Sequence, residues 1–437
     1  RFVREKTGKD RPLAGKKITV AATGGIALYK VCSLVRGLVR AGAEVRVAMT
    51  ENATRFVGAV TFEALSGHPV ALTEWTPGPD GAMPHIELAK CDLTIVAPAT
   101  ANILAKAAHG IADDLVSTLI AARRADIVFL PAMNVHMWTN AATQRNVAQL
   151  KAAGAHFIGP DAGFQACGAL GSGRMTEPEA ALDALLGFFA PKVLKGRRVL
   201  VTAGPTFEAI DPVRGITNRS SGRQGYAIAR AARDAGAEVE LVAGPTSLAD
   251  PFGIRTTHVV SAEDMLRAVF ERLKALQSPE AADHPAVDLF IGVAAVCDWR
   301  PKSASSVKIK KVKPAPDNER CAPTPFASIA WTENADILAE VARSGRAAVT
   351  GGFAAETADD EALFAYAAAK LERKGSDFIV ANDARSALDA PGNAVAWIAR
   401  GLEAPLRFGP AAKSACARFI VERAAERLGE KTRRQPA

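Results

Sequence analysis

Cysteine, aromatic side chains and long apolar runs are all scarce in this chain, and each scarcity removes a class of protein. Six cysteines (Cys32, Cys91, Cys167, Cys297, Cys321 and Cys416) are scattered over 437 residues with no C-x-x-C pair. That spacing argues against a disulfide framework or a zinc site and points to a reducing cytoplasm. No apolar run approaches the roughly 20 residues needed to cross a bilayer, so no membrane partner is expected. The first residues, Arg1 to Asp10, are charged and lack the apolar centre of a signal peptide. The sequence starts on Arg1 rather than methionine, which leads us to expect a trimmed start. A G-x-G-x-x-G fingerprint with a following acidic residue is missing, which counts against two NAD-binding units. Aromatic residues make up only 6% of the chain, while Ala, Gly and Val dominate, a balance that suits tightly packed α/β layers.

What the chain does have is length and apolar mass. Its 437 residues suffice for two or three domains of about 150 residues each. With 49% hydrophobic residues, sizeable cores need no help from disulfides or metals. The net charge is +8, with the excess at Lys308–Lys313, in scattered arginines and in the terminal Lys-Thr-Arg-Arg. No aromatic-interleaved basic motif accompanies it, so anionic small substrates are expected rather than nucleic acid.

Two segments open alike. Leu13-Ala-Gly-Lys-Lys-Ile-Thr-Val-Ala-Ala-Thr-Gly-Gly25 and Leu194-Lys-Gly-Arg-Arg-Val-Leu-Val-Thr-Ala-Gly-Pro205 each run from a basic start through a β-branched stretch to glycine. Each reads as the first strand of a new parallel sheet, which places a boundary near residue 194 and domains at 1–194 and 195–437. In the first half, strands are expected at Ile18–Ala22, Glu44–Met49, Leu93–Ala97 and Ile127–Leu130, with helices such as Ile26–Ala41 and Asp113–Ala122 between them. The second half repeats the alternation. Strands are expected at Val199–Ala203, Glu238–Val242, Leu289–Val293, Ala347–Gly351 and Phe378–Ala381, with helices at Gln224–Ala235, Ala262–Ala275 and Asp360–Lys374. Such alternation implies two doubly wound α/β domains with mostly parallel sheets. Residues 302–326, rich in Lys, Pro and Ser, read as a long loop of a length that is usually functional or disordered.

Chemistry-bearing motifs fall at strand ends, where ligands sit in such folds. Pro131-Ala132-Met133-Asn134-Val135-His136-Met137-Trp138 follows a buried run and sets one uncharged amide beside a Met and a Trp. This suits holding a carboxylate next to an apolar, ring-shaped cofactor, although Asn also stabilises turns for its own sake. Gly24-Gly25-Ile26 opens a helix and lets backbone approach a phosphate; a tight turn accounts for it about equally well. In Ala97-Pro98-Ala99-Thr100-Ala101-Asn102, small residues admit a planar ring, and a helix cap can coexist with that role. His85 stands in Met83-Pro-His85-Ile-Glu-Leu-Ala89, and Cys167 opens the glycine-rich Cys167–Met175.

In the second half, Asp211-Pro-Val-Arg214-Gly-Ile-Thr-Asn218-Arg-Ser220-Ser221-Gly222 offers a phosphate cradle with a guanidinium fork and an amide for an acidic substrate. Taken alone, Ser-Ser-Gly is an ordinary capped helix. Ala294-Ala295-Val-Cys-Asp298-Trp-Arg-Pro301 ends a strand, and Lys308-Ile-Lys310-Lys311 follows. A strand-end carboxylate with a lysine-rich loop fits a metal–nucleotide site better than a solvated face. Phe353 follows another strand, and Lys370 and Lys374 stand at i, i+4 on one helix face.

These ordered motifs span about residues 13–430. They resemble two families joined in one chain: flavin-dependent phosphopantothenoylcysteine decarboxylases and CTP-dependent phosphopantothenate–cysteine ligases, the bifunctional enzymes that make 4′-phosphopantetheine for coenzyme A. The resemblance implies a flavodoxin-like N-terminal domain and a Rossmann-like C-terminal domain. It implies FMN at Gly24, Gly25, Ile26, Thr100, Asn102 and Ala132. Asn134 would bind the cysteine carboxylate, His85 would assist acid–base steps, and Cys167 would protonate an enethiol. The flavin supplies the electron sink that an N-acyl cysteine lacks, by oxidising its thiol before CO₂ leaves. For ligation, it implies CTP at Ser220, Ser221, Gly222, Ala294, Asp298, Lys308, Ala335, Asp336, Ile337, Leu338, Phe353, Lys370 and Lys374. The substrate 4′-phosphopantothenate would meet Arg214, Asn218 and Ala295, with Asn218 and Lys308 catalytic and Mg²⁺ at Asp298. Cysteine is the second substrate. Trimeric decarboxylase and dimeric ligase contacts, building a dodecamer, also follow from the resemblance only.

The chain departs from the family pattern at Arg223-Gln224, where Lys-Met is usual, and at Ala335, where Pro is usual. Arg for Lys keeps charge but changes geometry. A decarboxylase of peptidyl cysteine would leave the second half idle. A regulatory relative without chemistry is disfavoured because His85, Asn134 and Cys167 are all present.

Overall fold

The computed structural model of the protein describes residues 11–76, 81–165, 168–277, 284–310, 329–356, 360–383 and 392–434. The chain divides into two compact units, Arg1–Phe189 and Ala190–Ala437.

In the first unit, strands β1 (Lys17–Ala22), β2 (Glu44–Met49), β3 (Leu93–Ala99), β4 (Asp126–Pro131) and β5 (His156–Phe157) form one five-stranded sheet in the order β2-β1-β3-β4-β5. Every pairing in it is parallel. The runs read as strands because they are largely apolar, with polar residues mostly at their starts, and every residue of β3 is buried, as expected of a parallel sheet covered on both faces. Helix Leu28–Arg40 covers the sheet through Leu28, Val31, Leu34, Val35 and Leu38, spaced on one face of a helix. It begins two residues later than the sequence suggests, because Leu28 N–H bonds Gly25 O and the glycine segment is a turn of its own. Strand order reverses between β1 and β3, so the crevice of a doubly wound sheet opens at their carboxyl ends. After β5, a two-stranded hairpin of β6 (Asp161–Phe164) and β7 (Leu170–Arg174) stands apart from the main sheet.

The second unit holds an eight-stranded sheet in the order β12-β11-β8-β13-β16-β17-β18-β19. Its strands are β8 (Arg198–Ala203), β11 (Glu238–Ala243), β12 (Arg255–His258), β13 (Val287–Gly292), β16 (Ala347–Glu356), β17 (Phe378–Asp383), β18 (Gly392–Ala399) and β19 (Leu406–Ala412). Pairing is parallel from β12 to β17 and antiparallel at β18 and β19. Two short ribbons flank it: β9 (Phe207–Ala209) with β10 (Gly215–Thr217), and β14 (Trp299–Pro301) with β15 (Trp331–Glu333). Here too order reverses, between β8 and β13, and the crevice opens beside the ends of β8, β13 and β16. Helix Arg223–Asp234 lies so close on β8 that a Cβ at Gly225 would sit 2.5 Å from Ala203 Cβ. A long helix, Lys413–Arg434, buries Cys416, Ala417, Ile420, Val421, Ala424 and Leu428 on the same face of the sheet core. Both units are thus doubly wound α/β domains with mostly parallel sheets. The expected long loop at 302–326 has no regular structure up to residue 310; its remainder lies outside the described residues.

Candidate active sites

The first crevice is a cavity of about 620 Å³ lined by Gly24, Gly25, Ile26, Thr100, Ala132 and Asn134, among others. Its volume lies within the roughly 300–1,000 Å³ of small-molecule sites. The local sequence explains the shape. Gly24 is forced by helix Glu51–Thr54, since a Cβ there would lie 2.6 Å from Asn52 Cβ. Gly25 faces Pro98 and Thr100, and a Cβ would fill the floor at 3.6 Å from both side chains. Thr100 caps helix Ala101–His109 by accepting from Ile103 N–H at 3.3 Å. Apolar Met133, Met137 and Met175 share the lining with polar groups, a mixture that fits a planar, partly apolar ring system with an anionic tail near a helix start. Five of the FMN positions implied by the resemblance thus meet in this cavity. The sixth, Asn102, is exposed on helix Ala101–His109 and is not among the lining residues.

Asn134 sits at the head of the short helix Val135–Thr139, and its Oδ1 accepts from His136 N–H at 2.9 Å. That bond fixes which end of the amide is the acceptor and leaves Nδ2 as its donor end. His85 lies in helix Pro84–Leu88, away from the cavity lining. Its Nδ1 is buried and has no hydrogen-bond partner among the described residues. Cys167 lies outside the described residues.

Sequence reasoning assigned no role to four residues of this cavity: Lys30, Arg174, Glu177 and Gln165. Lys30, 8% exposed, donates to Met175 O at 3.1 Å and to Glu177 at 3.0 Å. Arg174 pairs with the same Glu177 carboxylate. Burial pushes the Glu177 carboxyl up, but the Lys30 and Arg174 hydrogen bonds outweigh it and hold the group below its ordinary value. Gln165, buried at 7% exposure, contacts both the Asn134 turn and the β6–β7 hairpin. Only tertiary structure discloses it.

The second crevice is a cavity of about 430 Å³. It brings together Ala294 and Asp298 after β13, Ala335–Leu338 at a helix start, Phe353 in β16, and Lys370 and Lys374 on helix Asp360–Lys374. These positions are far apart in sequence and were expected at one nucleotide site. Asp336 caps helix Ile337–Ser344, accepting from Ala339 N–H at 3.2 Å, and forms an ion pair with Lys374. Lys370 donates to Phe353 O at 2.6 Å. Burial pushes the Lys374 ammonium below its ordinary value, partly opposed by the Asp298 charge. Asp298 is exposed at the cavity wall. No cluster of three or more His, Cys, Asp or Glu that would hold a metal occurs among the described residues. One carboxylate completed by phosphate oxygens is the ordinary pattern for Mg²⁺.

The stretch after β13 is held by side chains from several elements. Thr202 accepts from Val293 N–H at 3.2 Å, and Thr206 accepts from Cys297 N–H at 3.0 Å. Asn218 Nδ2 donates to Ala295 O and Val296 O at 3.1 and 3.0 Å. Asn334 Nδ2 donates to Cys297 O at 2.8 Å, and its Oδ1 accepts from Arg300 at 2.9 Å. Burial pushes the Cys297 thiol up, which suits a wall residue and not a nucleophile.

The remaining expected residues lie elsewhere in the unit. Ser220, Ser221, Gly222 and Ala295 line a smaller cavity of about 150 Å³ that shares Phe353 with the larger one. Asn218 lines a separate, open cavity of about 600 Å³ with Ser220 and Ser221. Arg214 lines none of these. It pairs with buried Asp211 and donates to Ile309 O at 2.5 Å, while Asp211 accepts from Ile309 N–H at 3.1 Å. Together they pin the segment carrying exposed Lys308. The Arg214 guanidinium, helped by backbone N–H groups, holds the Asp211 carboxyl far below the usual carboxylate range. Of the departures from pattern, Gln224 accepts from Asn393 at 3.3 Å and donates to Lys413 O at 3.4 Å.

Comparison with known proteins follows the same division. Residues 6–190 match the family model described as Flavoprotein. Residues 194–428 match the model described as DNA/pantothenate metabolism flavoprotein C-terminal domain. The chain is 45% identical over 373 residues to the coenzyme A biosynthesis bifunctional protein CoaBC of Vibrio parahaemolyticus, covering 85% of this chain and 88% of the relative. It is 44% identical over 375 residues to the protein of the same name from Escherichia coli K12, covering 85% and 87%. A crystal structure of the C-terminal domain of a CoaBC protein aligns at 35% identity with a TM-score of 0.43, covering 55% of this chain and 99% of that one.

Proposed function

Because the chain belongs to the family of coenzyme A biosynthesis bifunctional CoaBC proteins, we propose a residue-level reading of its two activities, a flavoprotein decarboxylase and a ligase. Residues 1–194 carry the first and 195–437 the second. The observation that supports the reading best is the convergence of Asp298, Ala335–Leu338, Phe353, Lys370 and Lys374 in one cavity.

In the ligase half, CTP occupies that cavity. Lys370 and Lys374, with Lys308 from the pinned segment, offset phosphate charge, and Asp298 would be the residue to hold Mg²⁺, which would supply further charge neutralisation. The carboxylate of 4′-phosphopantothenate attacks the α-phosphorus, releasing pyrophosphate and leaving an acyl-cytidylate. The amine of cysteine then displaces CMP and forms 4′-phosphopantothenoylcysteine. Asn218, braced on Ala295 and Val296, positions the activated carboxyl beside Ser220–Gly222.

In the decarboxylase half, the first cavity holds FMN, with Gly24, Gly25, Ile26, Thr100 and Ala132 around it and Asn102 nearby. When bound, FMN supplies the two-electron oxidation that makes loss of CO₂ possible and the matching reduction afterwards. The chain's own residues bind and move protons. Asn134 Nδ2 donates to the cysteine carboxylate and orients it for departure. His85 holds a proton for acid–base steps, and its buried, unpartnered Nδ1 suits a group whose partner arrives from outside this chain. Cys167 delivers a proton to the enethiol. The products of the two halves are those of consecutive steps, and the soluble substrates suit a cytoplasmic enzyme. Homo-oligomers with trimeric and dimeric contacts remain part of the proposal.

The test is an Asn134→Asp variant of the whole chain, assayed for CO₂ and for CTP-dependent pyrophosphate. The reading expects decarboxylation to vanish and ligation to persist. Equal loss of both would sink the separation of sites.

A further inference from the structure

The β6–β7 hairpin carries Cys167 in its connecting segment, and Asn134 stands on a different element after β4. What joins them is Gln165. Its side chain is buried, at 7% exposure, although a polar residue in a glycine-rich connection is ordinarily solvated. A primary amide offers one acceptor oxygen and two donor hydrogens, and the surroundings use both ends. Oε1 accepts from Val135 N–H at 3.1 Å. Nε2 donates to Met133 O at 3.4 Å and to Ser172 O at 3.3 Å. A backbone N–H and two carbonyls admit only this orientation of the amide, so the network is unambiguous in direction.

The placement has three consequences. First, Gln165 bonds the residues immediately before and after Asn134, bracketing the turn whose own side chain is set by His136 N–H. Second, the same amide reaches across to β7 through Ser172. Third, its backbone closes the base of the connection: Gln165 N–H bonds Ala169 O at 2.8 Å, and Gly168 N–H bonds Gln165 O at 2.9 Å. The hairpin is moulded to this contact. Met133 N–H bonds Gly173 O at 2.9 Å. A Cβ at Gly173 would come within 2.6 Å of Gln165 Nε2, and one at Gly171 within 2.7 Å of Val135 Cγ2.

We propose that Gln165 is a positioning residue of the decarboxylase. It locks the Asn134 turn onto the β6–β7 hairpin through Met133, Val135 and Ser172, so that the carboxylate-binding amide keeps its place in the cavity. The inference rests on the role given above to Asn134. Gln165 lines the same cavity and acts through the Asn134 turn that it brackets.

The experiment uses the full chain. Gln165→Met keeps length and apolar volume but leaves Val135 N–H, Met133 O and Ser172 O without the amide. With flavin still bound by its visible spectrum and with ligation unchanged, CO₂ release should fall on the order of tenfold to a hundredfold, the scale on which misplaced catalytic groups act. Amide hydrogen exchange should accelerate together in residues 131–139 and 168–175. Gln165→Glu adds a signature that general destabilisation does not produce. Its ionised carboxylate cannot donate, whereas its protonated form offers one acceptor and one O–H donor. Decarboxylation by that variant, relative to the parent, should therefore recover as pH falls from about 8 to about 6, since burial raises a carboxyl's pKa.

The proposal is overturned if Gln165→Met stays within about twofold of the parent, or if the loss in both variants merely follows loss of flavin. A Gln165→Glu ratio flat with pH overturns it as well. Asn134→Asp, run in parallel, separates the two levels. If that variant still releases CO₂, the reading of the site has failed. If it is inactive while Gln165→Met is normal, only the coupling has failed.

Discussion

Asn334→Ala is the substitution whose effect follows most directly from the geometry of the second cavity. The side chain makes two hydrogen bonds, to Cys297 O at 2.8 Å and from Arg300 at 2.9 Å, and so ties β15 to the strand end that presents Asp298. Its backbone N–H also bonds Asp298 O at 2.8 Å, and alanine keeps that bond. A neutral hydrogen bond contributes about 1 kcal/mol net and a charge-assisted one about 1.5–3 kcal/mol. The Arg300 side chain is 34% exposed, so water replaces part of the second bond, and the low end applies. The sum is about 2.5 kcal/mol, which holds Asp298 and Ala335 across the cavity. Converted at about 1.4 kcal/mol per decade, it corresponds to roughly a 60-fold loss in kcat/KM for CTP. The assay is pyrophosphate release against CTP concentration, with CO₂ release from directly supplied 4′-phosphopantothenoylcysteine as internal control. A kcat/KM for CTP within about twofold of the parent, with the chain folded, would refute the bracing argument. Equal loss of CO₂ release would show instead that the substitution damages the whole protein.

Three further outcomes follow from other positions. Gly173→Ala places a Cβ at φ +139 against Met133 O and Gln165; strain of about 1–3 kcal/mol should lower the thermal midpoint of the first unit and suppress CO₂ release, while ligation is retained. Asp211 has its carboxyl depressed by Arg214, so its contribution is present above the unfolded value of about 3.9 and is lost only as pH falls through the lower folded value. Protease resistance of residues 302–310 should accordingly persist to about pH 4 in the parent and be lost at every pH in Asp211→Ala. Lys374 is pushed down by burial, so its charge disappears below the ordinary lysine value of about 10.4. CTP binding should weaken on the alkaline side before that value, and Lys374→Met should bind CTP poorly and remove this limb when titrated calorimetrically.

Much of this architecture is legible in the residues. Apolar runs such as Leu93–Ala99 can be buried on both faces only in a covered parallel sheet, and the helices between them carry their buried residues at helical spacing. Strand ends then mark the crevices, which is why Gly24, Thr100 and Asn134 gather in one and Asp298, Phe353 and Lys374 in the other. Short ribbons escape such reading. Strands of three residues, as in Trp299–Pro301 against Trp331–Glu333, are too brief to show a period, and β6–β7 pairs exposed Phe164 with exposed Leu170 at a glycine-rich tip. The closing helix Lys413–Arg434 does carry a helical pattern, visible in Cys416, Ala417, Ile420, Val421 and Ala424. Roles set by long-range contacts leave no local trace. Nothing around Gln165 announces that it brackets residue 134, and Arg214 reads as a substrate fork until Asp211 and Ile309 are seen to hold it.

The central claim is that one chain performs ligation and flavin-dependent decarboxylation at two separate sites. The most direct measurement takes the purified protein, records its visible spectrum, and supplies 4′-phosphopantothenate, cysteine, Mg²⁺ and CTP while pyrophosphate and CO₂ are followed together. The account predicts yellow protein, pyrophosphate that depends on CTP, and CO₂ that appears only after pyrophosphate. Flavin-free protein, or CO₂ release from 4′-phosphopantothenate and cysteine without any nucleotide, would contradict it.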